Sequence, residues 1–185
     1  PVGQGSIQVR RFWTERGEFQ IVRNAVRRFP SAALDGLQGV SFVATKEQSR
    51  GMGGPRGIAR GRYYPKRKWV HLNRVGGDVF DDQASPEEHL KALQTVAHEL
   101  AHHAWTRMTE KEKADWYALQ IDLVMADERR RLQGKPPLIR ERLDRFANQI
   151  SYYLVNRRLF DEEEEVYTGL EDMFRRLLAR WKSMS

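Results

Sequence analysis

Hydrophobic positions change their spacing near the middle of the chain. In residues 19–29 (FQIVRNAVRRF) they fall at helical intervals and Pro30 follows, which predicts a short helix. Residues 39–45 (GVSFVAT) read as a buried strand, and the breaker-rich residues 50–57 (RGMGGPRG) as a loop. Two extended runs, residues 58–64 and 68–73, are joined by Pro65-Lys66-Arg67 and predict a hairpin. Side chains alternate in KWVHLN, so Val70 and Leu72 share one face and Trp69, His71 and Asn73 the other.

From Ser85 onward the spacing is helical. Ser85-Pro86-Glu87-Glu88 places Ser at an N-cap, Pro at the first position and Glu three after the cap. The helix it opens is expected to pass Trp105. Thr109-Glu110-Lys111-Glu112 repeats the capping-box pattern and opens a second helix, reaching about residue 132 before Gly134 and two prolines. A third is expected over residues 138–160 and a fourth over 161–182. The acidic run 161–165 (DEEEE) suits the positive end of that last helix. A sheet-rich half (1–84) and a helical half (85–185) in one domain make an α+β order.

Composition narrows the chemistry. The 185 residues are 40% hydrophobic and 31% charged, without cysteine, so disulfides and thiolate metal sites are excluded. Any transition metal has to be held by His, Asp, Glu and water. No apolar run approaches the roughly 18 residues of a membrane span, so no membrane partner is expected. The segment PVGQGSIQVRRFW lacks the apolar core of a secretory signal, which fits a cytoplasmic protein, one carried in a phage particle, or a toxin-like delivered one. A net charge of +7 favours acidic partners and fits weak nucleic-acid association. The basic residues are nevertheless spread over several elements.

The segment TVAHELAHHAW (residues 95–105) carries the specific signal, H-E-x-x-H at His98, Glu99 and His102. Residues four apart lie on one helix face about 6 Å apart, so two imidazoles reach one ion. Glu99, next to them around the helix, contacts a water on that ion without ligating it. Zinc lowers the pKa of such a water to about 7, and a carboxylate then takes its proton as it attacks a carbonyl. His103 lies about 100° round from His102 and does not share the ion.

The third ligand has to come from elsewhere. Trp105 and Met108 occupy the Gly and His positions of the metzincin extension, and His89 lies too far back on the same helix. His71 is within the candidates but suits the sheet surface or a substrate groove better. In the helix from residue 138, Ile139, Leu143, Phe146, Ala147, Ile150 and Leu154 form the apolar stripe. Asp144 sits on its flank and Glu141 nearly opposite. Glu128 falls on the stripe of the preceding helix (Ala114, Tyr117, Ile121, Val124, Leu132). Asp144 is favoured on this geometry, with Glu128 and Glu141 as alternatives.

The order of strand pair, H-E-x-x-H helix and DRFANQISYYL (residues 144–154) resembles the anthrax lethal-factor-like metallopeptidases and related phage and toxin-associated zincins. Phe146 and Ala147 match the family's E-x-F-A-E-type segment, and residues 166–178 (VYTGLEDMFRRLL) are similar in character. The resemblance implies a zincin-like fold, zinc held by His98, His102 and Asp144, and Glu99 as the base. Asp144 stands where the family has Glu, Asn148 where a second acid is usual, and Pro137 where the transition-state-stabilising Tyr belongs. Tyr117, Tyr152, Tyr153 and Arg140 are the substitutes at hand. Residues 113–118 (KADWYA) are similar to the E-A-[DN]-x-[FY]-A segment of ImmA/IrrE-type proteases, with Lys in the ligand position. SprT-like proteases use a third His that this chain lacks.

The expectation is a zinc metallopeptidase acting on a protein or peptide. Its substrate is expected to lie along the strand containing Val70, His71 and Leu72, taken as an exposed edge. Alternatives are a non-catalytic, virion-associated protein that retains a zincin fold, or a DNA-associated regulatory protease of the SprT-like or ImmA/IrrE-like kind.

Overall fold

The sheet is laid down first. A computed structural model describes residues 8–9, 16–43, 61–73 and 85–185. Within them strand β1 (Gln8–Val9) is followed by helix α1 (Arg16–Val26), strand β2 (Gly39–Val43), and the strands β3 (Gly61–Tyr64) and β4 (Trp69–Asn73). Then come α2 (Pro86–Trp105), α3 (Glu110–Leu119), α4 (Ile121–Leu132), α5 (Ile139–Val155), α6 (Arg157–Val166) and α7 (Leu170–Ser183). The fold is α+β. The loop expected at residues 50–57 and the first part of the hairpin, residues 58–60, lie outside the described residues.

The sheet is mixed, in the order β1-β2-β4-β3. β2 pairs with β1 and β4 in parallel, and β3 pairs with β4 antiparallel. Val40 is opposite Val70 and Phe42 opposite Leu72, so these side chains share the face that packs on α2. Val40, Val70 and Leu72 are fully buried. β4 therefore lies between two strands and is no edge, which corrects the expectation placed on it. Among the described strands β3 holds the edge position on that side.

Both capping boxes form. The Ser85 side chain accepts the Glu88 N–H while Glu88 accepts the Ser85 N–H at 2.8 Å, and Thr109 and Glu112 repeat the exchange at the start of α3. Two helices expected to run on are broken instead. Gln120 leaves helical geometry (φ −92°, ψ 66°) between α3 and α4, and Asn156 does so between α5 and α6. Asn156 caps the new helix by accepting the Leu159 N–H. Gly169, at φ 99°, permits the turn into α7. The acidic run thus lies inside α6 and does not open a helix. Asp161 and Glu162 pair with Arg157 and Arg158, while Glu164 accepts the backbone N–H groups of Gly169 and Glu171 and so caps α7.

The break at Gln120 also rotates α4 away from its expected stripe. Leu123 is buried, whereas Ile121 and Leu132 are 64% and 74% exposed. Many basic side chains among the described residues are taken up in local ion pairs, such as Arg131–Glu128, Arg142–Asp127 and Arg145–Asp122. No helix among the described residues is long and apolar enough to cross a membrane.

α5 lies along α2, and aromatic rings fix their relation. Phe146 on α5 meets Trp105 on α2 at 4.9 Å between centroids, Trp116 on α3 at 5.7 Å and Phe174 on α7 at 6.1 Å, all tilted edge to face. Beside it Gln149, fully buried, accepts the Trp116 indole N–H at 2.9 Å and donates to Gln120 at 3.0 Å. Phe146→Ala is expected to cost about 3–5 kcal/mol in urea unfolding, because four elements meet at that ring. A loss below about 1 kcal/mol would show that the rings do not fix α5 on α2.

Candidate metal centre

His98 and His102 sit one turn apart on α2 and turn their rings toward each other. Their Nε2 atoms are 3.1 Å apart, with the rings at 84°. Asp144 reaches in from α5 and places Oδ1 3.4 Å from His102 Nε2. All three ligand atoms lie within 4.8 Å of one another. Ligands about 2.0–2.1 Å from a tetrahedral ion are about 3.4 Å apart, so the residues fit a zinc-sized cation. Asn148, one turn beyond Asp144, hydrogen-bonds His98, the kind of outer contact that orients a ligating ring.

Electrostatics agree with the donor set. Burial pushes His102 down from its ordinary 6.5 to about 4, with His98 beside it adding to the effect. Burial also lowers His98, against the pull of Asp144. Both imidazoles are therefore neutral at pH 7, the form that binds a metal. Three lone-pair-bearing atoms converge on one point with at most one proton between the two facing nitrogens.

Glu99 points the other way, toward β3. It is 7% exposed, and burial pushes its carboxyl from its ordinary 4.5 up to about 8; the Tyr63 backbone N–H lowers it, Asp144 raises it and Arg62 lowers it. β3 passes so close that a Cβ on Gly61 would lie 2.6 Å from Glu99 Cγ and 2.9 Å from Oε1. Glycine is required here by contact, not by its backbone angles. The cleft, about 1310 Å³, runs between β3 and α5; Arg62, Tyr63, Arg140 and Leu143 line it with His98, Glu99, His102 and Asp144.

The structure thus brings together His98, Glu99, His102 and Asp144. Glu128 is exposed and paired with Arg131, and Glu141 is exposed on α5. Val70 and Leu72 are in the core, and His71 faces Ser41 and the Tyr64 ring on the opposite side of the sheet, so none of the three lines the cleft. Of the substitutes for the missing Tyr, Tyr117 donates to Asp127 and Tyr153 packs on Phe160 and Phe174, whereas Arg140 lines the cleft. Gly61, Arg62, Tyr63 and Asn148 were not singled out as site residues from sequence. The glycine opening an otherwise β-forming run, GRYY, was the available signal for a close approach. Comparison with family models, with curated proteins and with solved structures found no match.

Two outcomes follow for chelator-treated protein. Glu99 holds a proton in the native chain that the unfolded chain has released between pH 4.5 and about 8, so its contribution is lost as pH rises through that window, at up to about 1.4 kcal/mol per pH unit. His102 acts oppositely: its contribution is present above pH 6.5 and is lost as pH falls through about 4. Stability from urea titrations should therefore fall between pH 6.5 and 8 in the wild type and stay level in Glu99→Gln. An unchanged slope in the variant would assign the proton elsewhere. Gly61→Ala should displace β3 or Glu99 and destabilise by about 1–3 kcal/mol; a neutral result would mean that the close contact is not held in solution.

Proposed function

We propose that the chain is a zinc-dependent metallopeptidase with a zincin-like fold, of the lethal-factor-like kind its sequence resembles. One observation carries the reading: His98, His102 and Asp144 converge from two helices beside a buried Glu99 in an open cleft. His98 Nε2, His102 Nε2 and an Asp144 carboxylate oxygen would hold the zinc, which when bound polarises a carbonyl and acidifies water.

Glu99 is the proton carrier. Burial makes its carboxylate a stronger base than a solvated one, and a cation beside it brings that basicity back toward neutral pH. It takes a proton from the attacking water and returns it to the leaving amine nitrogen. Arg140 lines the cleft and offers N–H groups for the charge that develops on the carbonyl oxygen. An extended peptide fits along β3, since an edge strand offers backbone groups to a passing chain.

Purified protein is expected to hold one zinc by elemental analysis and to cleave casein or a peptide library. Glu99→Gln should keep the zinc and lose about 10²–10⁴-fold in kcat, whereas His102→Ala should lose the zinc itself. Zinc retained by a wild type without turnover would remove the peptidase reading and leave a metal-holding structural protein.

A further inference from the structure

The histidine that follows the motif is not idle. His103 is 1% exposed, and both its ring nitrogens are used. Nε2 lies 3.0 Å from the Asp35 backbone oxygen, and Nδ1 2.9 Å from the Tyr63 hydroxyl. A carbonyl oxygen only accepts, so Nε2 carries the hydrogen and Nδ1 accepts from the Tyr63 O–H. The acceptor is itself steadied, because the Asp35 carboxylate accepts from Arg107 at 2.9 Å.

Tyr63 is thereby held at two points. Its side chain binds His103, and its backbone N–H binds the Glu99 carboxylate. Glu99 and His103 are four apart on α2, so both contacts run from one face of that helix to one residue of β3. Two residues earlier on the same strand, Gly61 has no Cβ and so leaves the space that Glu99 occupies against β3.

Resting on the peptidase reading, we propose that His103 is a positioning residue: through the Tyr63 side chain it fixes the backbone N–H that fixes Glu99. It touches neither metal nor substrate. It sets where the base stands relative to the cleft, and the cost of releasing it is misplacement of that base.

A double-mutant cycle tests this. Tyr63→Phe removes only the hydroxyl and keeps the ring and the backbone N–H; His103→Leu removes the other partner. Each should lower kcat by about 10–100-fold with KM and zinc content unchanged, and the double variant should fall no further than the worse single one. His103→Gln, which keeps a donor and an acceptor, should recover more activity than His103→Leu. Independently of turnover, amide exchange at residue 63 should quicken at least tenfold in zinc-loaded Tyr63→Phe, as the N–H leaves the carboxylate. Unchanged exchange at residue 63 would overturn the proposal, as would singly folded variants whose kcat losses multiply. A wild type without turnover would instead overturn the peptidase reading, and the exchange measurement would still decide the role of His103.

Discussion

The site depends on two i,i+4 pairs set side by side on α2. His98 and His102 look toward α5, and Glu99 and His103, one residue on and about 100° round, look toward β3. One helix therefore presents a face with two candidate metal ligands and a strand-docking face from six consecutive residues. Neither face works alone. Without α5 the two imidazoles lack their third donor, and without β3 the carboxyl has no fixed place.

Burial gives this arrangement its chemical character. Removing water favours the neutral forms of His98, His102 and Glu99 together, so these three side chains leave no unpaired buried charge. Asp144 differs from them in its exposure. Its side chain is 47% exposed and Arg140 stands 3.7 Å from its second oxygen, so it keeps a solvated, partly compensated position at the cleft wall. The donor from α5 is thus the wet side of the centre, and the donors from α2 are the dry side.

Local signals were legible wherever the chemistry was local. Ser85 and Thr109 open helices because a side chain three residues on can return the hydrogen bond, and that is written in four letters. The four-residue spacing of His98 and His102, and Asp144 on the flank of the α5 stripe, are likewise geometric consequences of a single helix. The breaks at Gln120 and Asn156 were not legible, since no Gly or Pro marks them. Buried Gln149, which binds Gln120 from another helix, shows that a tertiary contact accompanies the first of them. Strand order was hidden for the same reason: that β4 lies inside and β3 outside depends on the parallel pairing with β2, set by segments far apart in sequence.

The aspartate at position 144 and the small residues around it are one solution. An aspartate side chain is short, so α5 has to lie close to α2 for the carboxylate to come within 3.4 Å of His102. Ala101 shares the face of α2 that carries His98 and Trp105, and Ala147 lies one turn beyond Asp144; both are fully buried. Small side chains let helices come together, and the Trp105–Phe146 contact limits the approach one turn further along. The 3.4 Å between His102 Nε2 and Asp144 Oδ1 is then a product of helix packing as much as of ligand chemistry. Lengthening residue 144 or enlarging residue 101 changes the same distance from its two ends, so the two positions are expected to constrain each other.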